Sequence, residues 1–318
     1  MDSNARILIA GHPGLIGSAL TRLFKAKGYT QLLLPTRSDL ELTDSKAVDA
    51  YFAEHTPEYV LMAAGKVGGI VENQRVPADF LTQNLAIQAN VMRAANQNNA
   101  KKLIFFASSC MYPRECPLPM NETMLLNGKP EPTSLSYAVA KLAGLQLCQA
   151  YNQQYAKQRF IPVIPNSVYG PNDNFDPTSG HVLSALMNRF HHAKITNAPS
   201  VTLWGTGEPR REFIHADDVA EACLWLLLHP KDIYELPLNI GAGQDYSIRE
   251  LAEMIAGVIG YGGGIEWDTS KPDGAPRKLL DSTRIHTLGW KARISFADGL
   301  KDTYRWYQQT VAAKGNAA

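Results

Sequence analysis

The turn Gly11-His12-Pro13-Gly14-Leu15-Ile16-Gly17 constrains this chain most, because it lies directly between an apolar run, ILIA at 7–10, and an amphipathic stretch at 15–27. A helix start carries unpaired N–H groups and the positive end of the peptide dipole, so it attracts anions. In that setting Gly11 permits the tight bend, Gly14 lets backbone approach a pyrophosphate, and Gly17 allows close helix–strand packing. The same string elsewhere is weak evidence. Between a first strand and a first helix it predicts a dinucleotide site.

The following pattern agrees. Apolar runs at 31–34, 59–63, 103–107 and 160–165 alternate with helical patterns at 46–55, 78–98 and 137–155. Strands apolar on both faces and separated by helices predict an α/β fold, a doubly wound parallel sheet covered on both sides. Beyond about 170 the pattern loosens, with helices expected at 182–192, 216–228 and 248–258 and a proline-rich loop at 270–278. We expect a dinucleotide-binding domain at 1–170 and a smaller α/β substrate domain at 171–318, ending in a frayed tail. A chain of 318 residues is long enough for both.

Composition narrows the function. With 31 Lys+Arg against 30 Asp+Glu the net charge is +1, which argues against partners bound by broad electrostatics such as nucleic acid or a membrane surface. No apolar run approaches the ~20 residues of a spanning helix, and the N-terminal stretch lacks a leader's apolar core. Cys110, Cys116, Cys148 and Cys223 are too scattered for a disulfide framework and form no CxxC pair. A cytoplasmic protein without a metal is the expectation.

A NAD site usually places an acid about 20 residues beyond the glycines. Here Arg37 follows the second strand, and a guanidinium can clamp the 2′-phosphate of NADP. Asp39, two residues on, keeps NAD open. Tyr137 and Lys141 stand at i,i+4 on one helix face. A nearby ammonium favours phenolate, so Tyr137 is expected to move from about 10 toward working pH and to exchange a proton with a carbonyl or alcohol. Ser108, after the 103–107 strand, stands where open α/β sheets gather their sites and can donate to the same oxygen.

With these motifs the chain resembles the extended short-chain dehydrogenase/reductase family over nearly its whole length, in particular its GDP-4-ketosugar epimerase/reductases. Further matching strings are AAGKVGGIVEN (63–73), PADFLTQN (77–84), SSCMYP (108–113), VYGPNDNF (168–175), Ser179-Gly180-His181, GTGEPRREFIHADD (205–218) and SKPDGAPRKLLD (270–281). The resemblance implies NADPH-dependent 3,5-epimerisation and 4-reduction of GDP-4-keto-6-deoxy-D-mannose to GDP-L-fucose. It implies that Cys110 is the base removing protons α to the ketone and His181 the acid returning them on the opposite face. Ser108 and Tyr137 would polarise the ketone, with Lys141 on the nicotinamide ribose. If strand geometry continues past 107, Ser108 and Cys110 share a face.

The resemblance also places Ala64, Pro165, Asn166, Ser167, Val168 and His181 beside the cofactor, and Arg189, Trp204, Arg211, Asp273 and Lys278 on the nucleotide sugar. Two departures stand out. Pro13 replaces a frequent Arg that contacts the 2′-phosphate, and Pro165-Asn166-Ser167 replaces Pro-Thr-Asn. Cys148 and Cys223, on apolar patterns, read as core, and His191, His192 and His215 as structural. A homodimer through the 78–98 and 137–155 helices follows from resemblance alone. Two alternatives remain open: a relative inverting only C5, as in GDP-colitose synthesis, and a non-catalytic dinucleotide-sensing module. An Asp-Glu pair, usual after the fourth strand in dehydratases, is replaced here by Ser108-Ser109-Cys110.

Overall fold

The computed structural model describes residues 1–229, 237–271 and 273–312. The first half runs β1 (Ile7–Ala10), α1 (Leu15–Ala26), β2 (Leu32–Leu33), α2 (Ser45–His55), β3 (Tyr59–Met62), α3 (Ile70–Arg75), α4 (Pro77–Gln97), β4 (Lys102–Phe106), α5 (Leu135–Gln154) and β5 (Phe160–Pro165). The second half runs β6 (Ser167–Tyr169), α6 (Val182–Ile195), β7 (Ser200–Trp204), β8 (Arg210–His215), α7 (Ala216–Leu228), β9 (Leu238–Ile240), β10 (Asp245–Ser247), α8 (Ile248–Ile259), β11 (Gly264–Asp268), β12 (Arg277–Lys278), α9 (Thr283–Thr287) and α10 (Phe296–Tyr307).

Strands β2-β1-β3-β4-β5-β9 form one parallel sheet in that order. Successive side chains of a strand point to opposite faces, and here both faces are buried. Ile7 and Ile9 pack with Leu20 and Phe24 of α1 and with α7, whereas Leu8 joins Phe52 of α2, Val91 of α4 and Leu145 of α5. Burying Leu20 and Phe24 stabilises the α1 contact by about 1.5–3 kcal/mol each. The sheet order reverses between β1 and β3, the switch point at which such sheets open a crevice at their carboxyl ends.

A third cluster surrounds Phe190, Leu251, Ile255 and Tyr304 beneath the small sheets of the second half. There β8 pairs with β6, β10 and β12, and β7 with β11. The expected division at residue 170 is crossed by the chain: β9 completes the large sheet, and α7 packs into the same core as α1. The frayed tail expected at the end falls outside the described residues, apart from its first residue.

Candidate active site

The glycine turn takes the shape its sequence implies. Gly11 has φ +85°, and a Cβ there would lie 2.7 Å from the Ala64 backbone nitrogen at the end of β3. A Cβ on Gly17 would lie 2.1 Å from the Gly11 carbonyl oxygen. Gly14 caps α1 without a side chain, is exposed, and would meet protein only at 3.5 Å. Two glycines therefore serve packing, while the third leaves bare backbone over the helix start. That surface fits a pyrophosphate.

Around it, Ala64 lies against Gly11, and His12 Nδ1 lies 3.2 Å from the Pro35 carbonyl oxygen. Pro13 is exposed and Leu15 and Ile16 half-buried. Arg37 is four-fifths exposed but donates to Glu41 at 2.7 Å, and Asp39 accepts from Thr36. Buried Asn84 fixes the loop after Ala64, accepting from the Lys66 N–H at 3.1 Å and donating to its carbonyl at 3.0 Å. A lone Asn inside an amphipathic helix gives no sequence signal for that role.

Tyr137 and Lys141 share a face of α5, with the ammonium 5.8 Å from the phenol ring centroid. The Lys141 ammonium donates to the Phe106 carbonyl at 2.8 Å, at the mouth of β4. Burial pulls Lys141 down to about 8. The expected direction for Tyr137 is reversed. Burial raises its phenol, the facing Cys110 sulfur raises it further, and Ser108 offsets only part.

Strand β4 ends at Phe106, and Ser109–Met111 form a 3₁₀ turn instead of continuing it. Ser108 caps that turn, accepting from the Cys110 N–H at 3.2 Å. A capped turn, not strand alternation, thus brings the hydroxyl and thiol together. Burial pushes the Cys110 thiol up, but the Lys278 ammonium 3.8 Å away, hydrogen bonds with Ser108 and Ser134, and nearby His181 outweigh it. The thiol ends below its ordinary value. Lys278 pairs in register with Arg211 on β8. Burial disfavours the Arg211 charge, and among the described residues no carboxylate pairs with it. The thiol therefore faces a positive wall.

His181 stands at the start of α6 without capping it, and its side chain is about half exposed (54%). Its Nδ1 lies 3.9 Å from Asp173 Oδ1, a residue the sequence reading did not single out. That carboxylate raises His181 above its ordinary value, partly countered by burial, with Cys110 adding to the rise.

The remaining expected residues divide. Arg189 donates to the Thr202 carbonyl at 3.3 Å, and Trp204 is exposed with the Lys271 ammonium 5.8 Å from its ring centroid. The Asp273 carboxylate accepts from the Thr206 N–H and hydroxyl, so it ties its loop to the Gly205 turn. Pro165 and Asn166 are buried and Ser167 and Val168 half-buried. The Asn166 side chain is built into the scaffold, accepting from Ser109 at 3.1 Å and donating to Glu212 at 2.7 Å. Cys148 and Cys223 are core residues, and His215 caps α7.

A doubly wound sheet with a glycine cradle at its switch point and a Tyr-Lys pair beside it defines a dinucleotide-dependent enzyme of the short-chain dehydrogenase/reductase type. The chain belongs to the NAD dependent epimerase/dehydratase family, whose model matches residues 7–241. It is 48% identical over 310 residues to GDP-L-fucose synthase 1 of Arabidopsis thaliana, covering 98% of this chain and 95% of the plant protein. It is also 48% identical over 312 residues to GDP-L-fucose synthase of Escherichia coli (strain K12), covering 96% and 97%. A GDP-L-fucose synthetase from Naegleria fowleri, solved bound to NADP, superposes with a TM-score of 0.89 at 26% identity, covering 98% of this chain and 96% of that one.

Proposed function

We propose that this chain converts GDP-4-keto-6-deoxy-D-mannose to GDP-L-fucose, inverting C3 and C5 and then reducing C4 with NADPH. The observation that carries the reading is the pairing of a thiol, Cys110, lowered by Lys278, with an imidazole, His181, raised by Asp173, beside Ser108 and Tyr137. Such a pair supplies a base and an acid at neutral pH. Near-full-length identity of 48% to GDP-L-fucose synthases supports the assignment.

The turn at 11–17 and Ala64 would hold the dinucleotide, with Arg37 toward a 2′-phosphate. When bound, the reduced nicotinamide supplies the hydride for C4. Cys110 thiolate removes the proton α to the ketone while Ser108 and Tyr137 hydrogen-bond the oxygen that becomes an enolate. His181 returns a proton on the other face, and the cycle repeats at the second carbon. Tyr137 finally protonates the C4 oxygen, with Lys141 holding a charge beside it. Arg211 and Lys278, unmatched by carboxylates among the described residues, suit a diphosphate. Residues 171–318, apart from α7 and β9, are read as the nucleotide-sugar lobe, with Arg189, Trp204 and Asp273 at its edge. A cytoplasmic homodimer through α4 and α5 completes the reading, supported by the exposed Leu85 and Val139 on those helices. Among the described residues, no helix is long and apolar enough to cross a membrane.

The test is incubation with freshly prepared ketosugar and NADPH in deuterated water. Oxidation of NADPH with two solvent deuterons in the product supports the proposal. One deuteron points to a single inversion, and no oxidation overturns it.

A further inference from the structure

The acid of the proposed pair stands in an awkward place. His181 begins α6, where the helix dipole and unpaired N–H groups favour negative charge, so an imidazolium there is opposed. Its ring makes no capping bond that would fix it. Something else must hold both its charge and its orientation.

Asp173 is placed to do so. Its side chain is 4% exposed, so its carboxylate is nearly out of water. A buried carboxylate needs partners, and both oxygens have them. Oδ1 accepts the Asn174 N–H at 2.8 Å, and Oδ2 accepts the hydroxyl of fully buried Ser184 in the first turn of α6. The Asp173 N–H donates to the Gly170 carbonyl, which fixes the loop behind it. These bonds leave Oδ1 facing His181 Nδ1 at 3.9 Å. The other titratable group acting on His181 is Cys110, whose negative charge also favours the protonated ring.

We propose that Asp173 is the positioning residue of the epimerisation: its carboxylate keeps the proton on Nδ1 of His181, holds the ring at the head of α6, and leaves Nε2 as the proton donor to the sugar. The inference rests on the reading of the active site above and deepens it. In each inversion one proton passes from the sugar carbon to the Cys110 sulfur and one from His181 Nε2 to the opposite face of that carbon. Cys110 then returns its proton to solvent and His181 takes one up, so the enzyme is restored with no net change. Asp173 stays an anion throughout. Its charge favours protonated over neutral His181, and removing it leaves the helix dipole unopposed.

The experiment separates this from both folding and the overall reading. Full-length protein labelled with ¹⁵N-histidine is titrated by NMR, wild type against Asp173→Asn, with no substrate present. The expected result is a fall in the His181 midpoint of about one pH unit or more, the usual size for loss of a neighbouring opposite charge. In parallel, deuterium wash-in at C3 and C5 is followed with NADP bound, against reduction of the already epimerised ketosugar. Wash-in should fall at least tenfold in Asp173→Asn, and its alkaline limb should move to lower pH. Reduction and NADP affinity should stay within twofold. Asp173→Glu should recover part of both the midpoint and the wash-in. An unmoved His181 midpoint, or wash-in and reduction falling together, overturns the proposal. If Asp173→Asn does not fold, the wild-type midpoint decides: a value below that of a free histidine overturns it. Wild type that shows neither wash-in nor reduction, yet has a raised His181 midpoint, sinks the substrate reading and leaves the Asp173–His181 pair standing.

Discussion

A thiol works as a base near neutrality only where its anion is held more strongly than its own burial penalises it. Cys110 meets that condition through Lys278 in particular. Lys278→Met keeps the bulk and removes the ammonium, so the Cys110 midpoint should rise by about one unit and the thiolate fraction at pH 7 fall about tenfold. Iodoacetamide labelling of the Cys110 peptide, followed by mass spectrometry across pH, reads this directly. An unchanged profile would mean that Lys278 does not set the thiol. The sign at the partner is opposite: epimerisation needs thiolate and imidazolium together, so activity should rise with pH through Cys110 and decline through the raised midpoint of His181. Tyr137 assists the enolate with Ser108 but is the proton donor of the other half-reaction. Tyr137→Phe should lower NADPH oxidation about 10²–10⁴-fold while NADP binding and wash-in at C3 and C5 persist at reduced rate. Equal loss of wash-in and oxidation would contradict separate roles.

Among the elements, two helix glycines, Gly17 and Gly257, make a controlled contrast. Gly17 lies inside α1 with the Gly11 carbonyl where its Cβ would go, whereas Gly257 in α8 is exposed with nothing within 4 Å. Gly257→Ala should stabilise by about 0.4–1 kcal/mol by restricting the unfolded chain, a rise in Tm of about 1–3 °C. Gly17→Ala should cost about 1–3 kcal/mol or more and abolish dinucleotide binding, since the turn must open to admit the methyl group. Thermal melts with and without NADP distinguish the two. The same elements show what a sequence can display. Strands apolar on both faces and helices with one apolar stripe announce the sheet, because burial dictates residue type at every position. The turn after β4 gives no such signal: Ser109–Met111 is only three residues long, and a hydroxyl cap ends the strand where alternation alone would continue it. Helix α3 hides likewise, six residues long with Ile70 and Val71 exposed. Asp173, Asn84 and Glu212 fall inside strings that carry the family resemblance, but their individual roles were not legible there, because their work is done by partners distant in the chain or by burial, and a single acid or amide carries neither fact in its letter.

At the scale of the whole molecule, Glu212 joins the two halves of the site. It is fully buried on β8. One oxygen accepts the Gly243 N–H at 2.7 Å, and the other accepts the Asn166 amide at 2.7 Å and the Leu280 N–H at 2.9 Å. Asn166 in turn accepts from Ser109, next to Cys110, while Leu280 lies two residues beyond Lys278. One carboxylate therefore anchors both the turn carrying the thiol and the strand carrying its ammonium. All three neighbours are donors, so an acceptor-only group matches them and an amide does not. In Glu212→Gln the new NH₂ must face a donor, which should cost about 1–3 kcal/mol; Glu212→Ala abandons all three donors and should cost more. Urea unfolding gives that order, and Cys110 labelling in the folded variants gives the functional consequence. Both variants should label more slowly at pH 7 than wild type, because Lys278 is no longer held beside the sulfur. A stable Glu212→Gln protein with wild-type labelling would mean that the two halves are held together by their apolar contacts alone, and that the distance between thiol and ammonium is set locally within each loop.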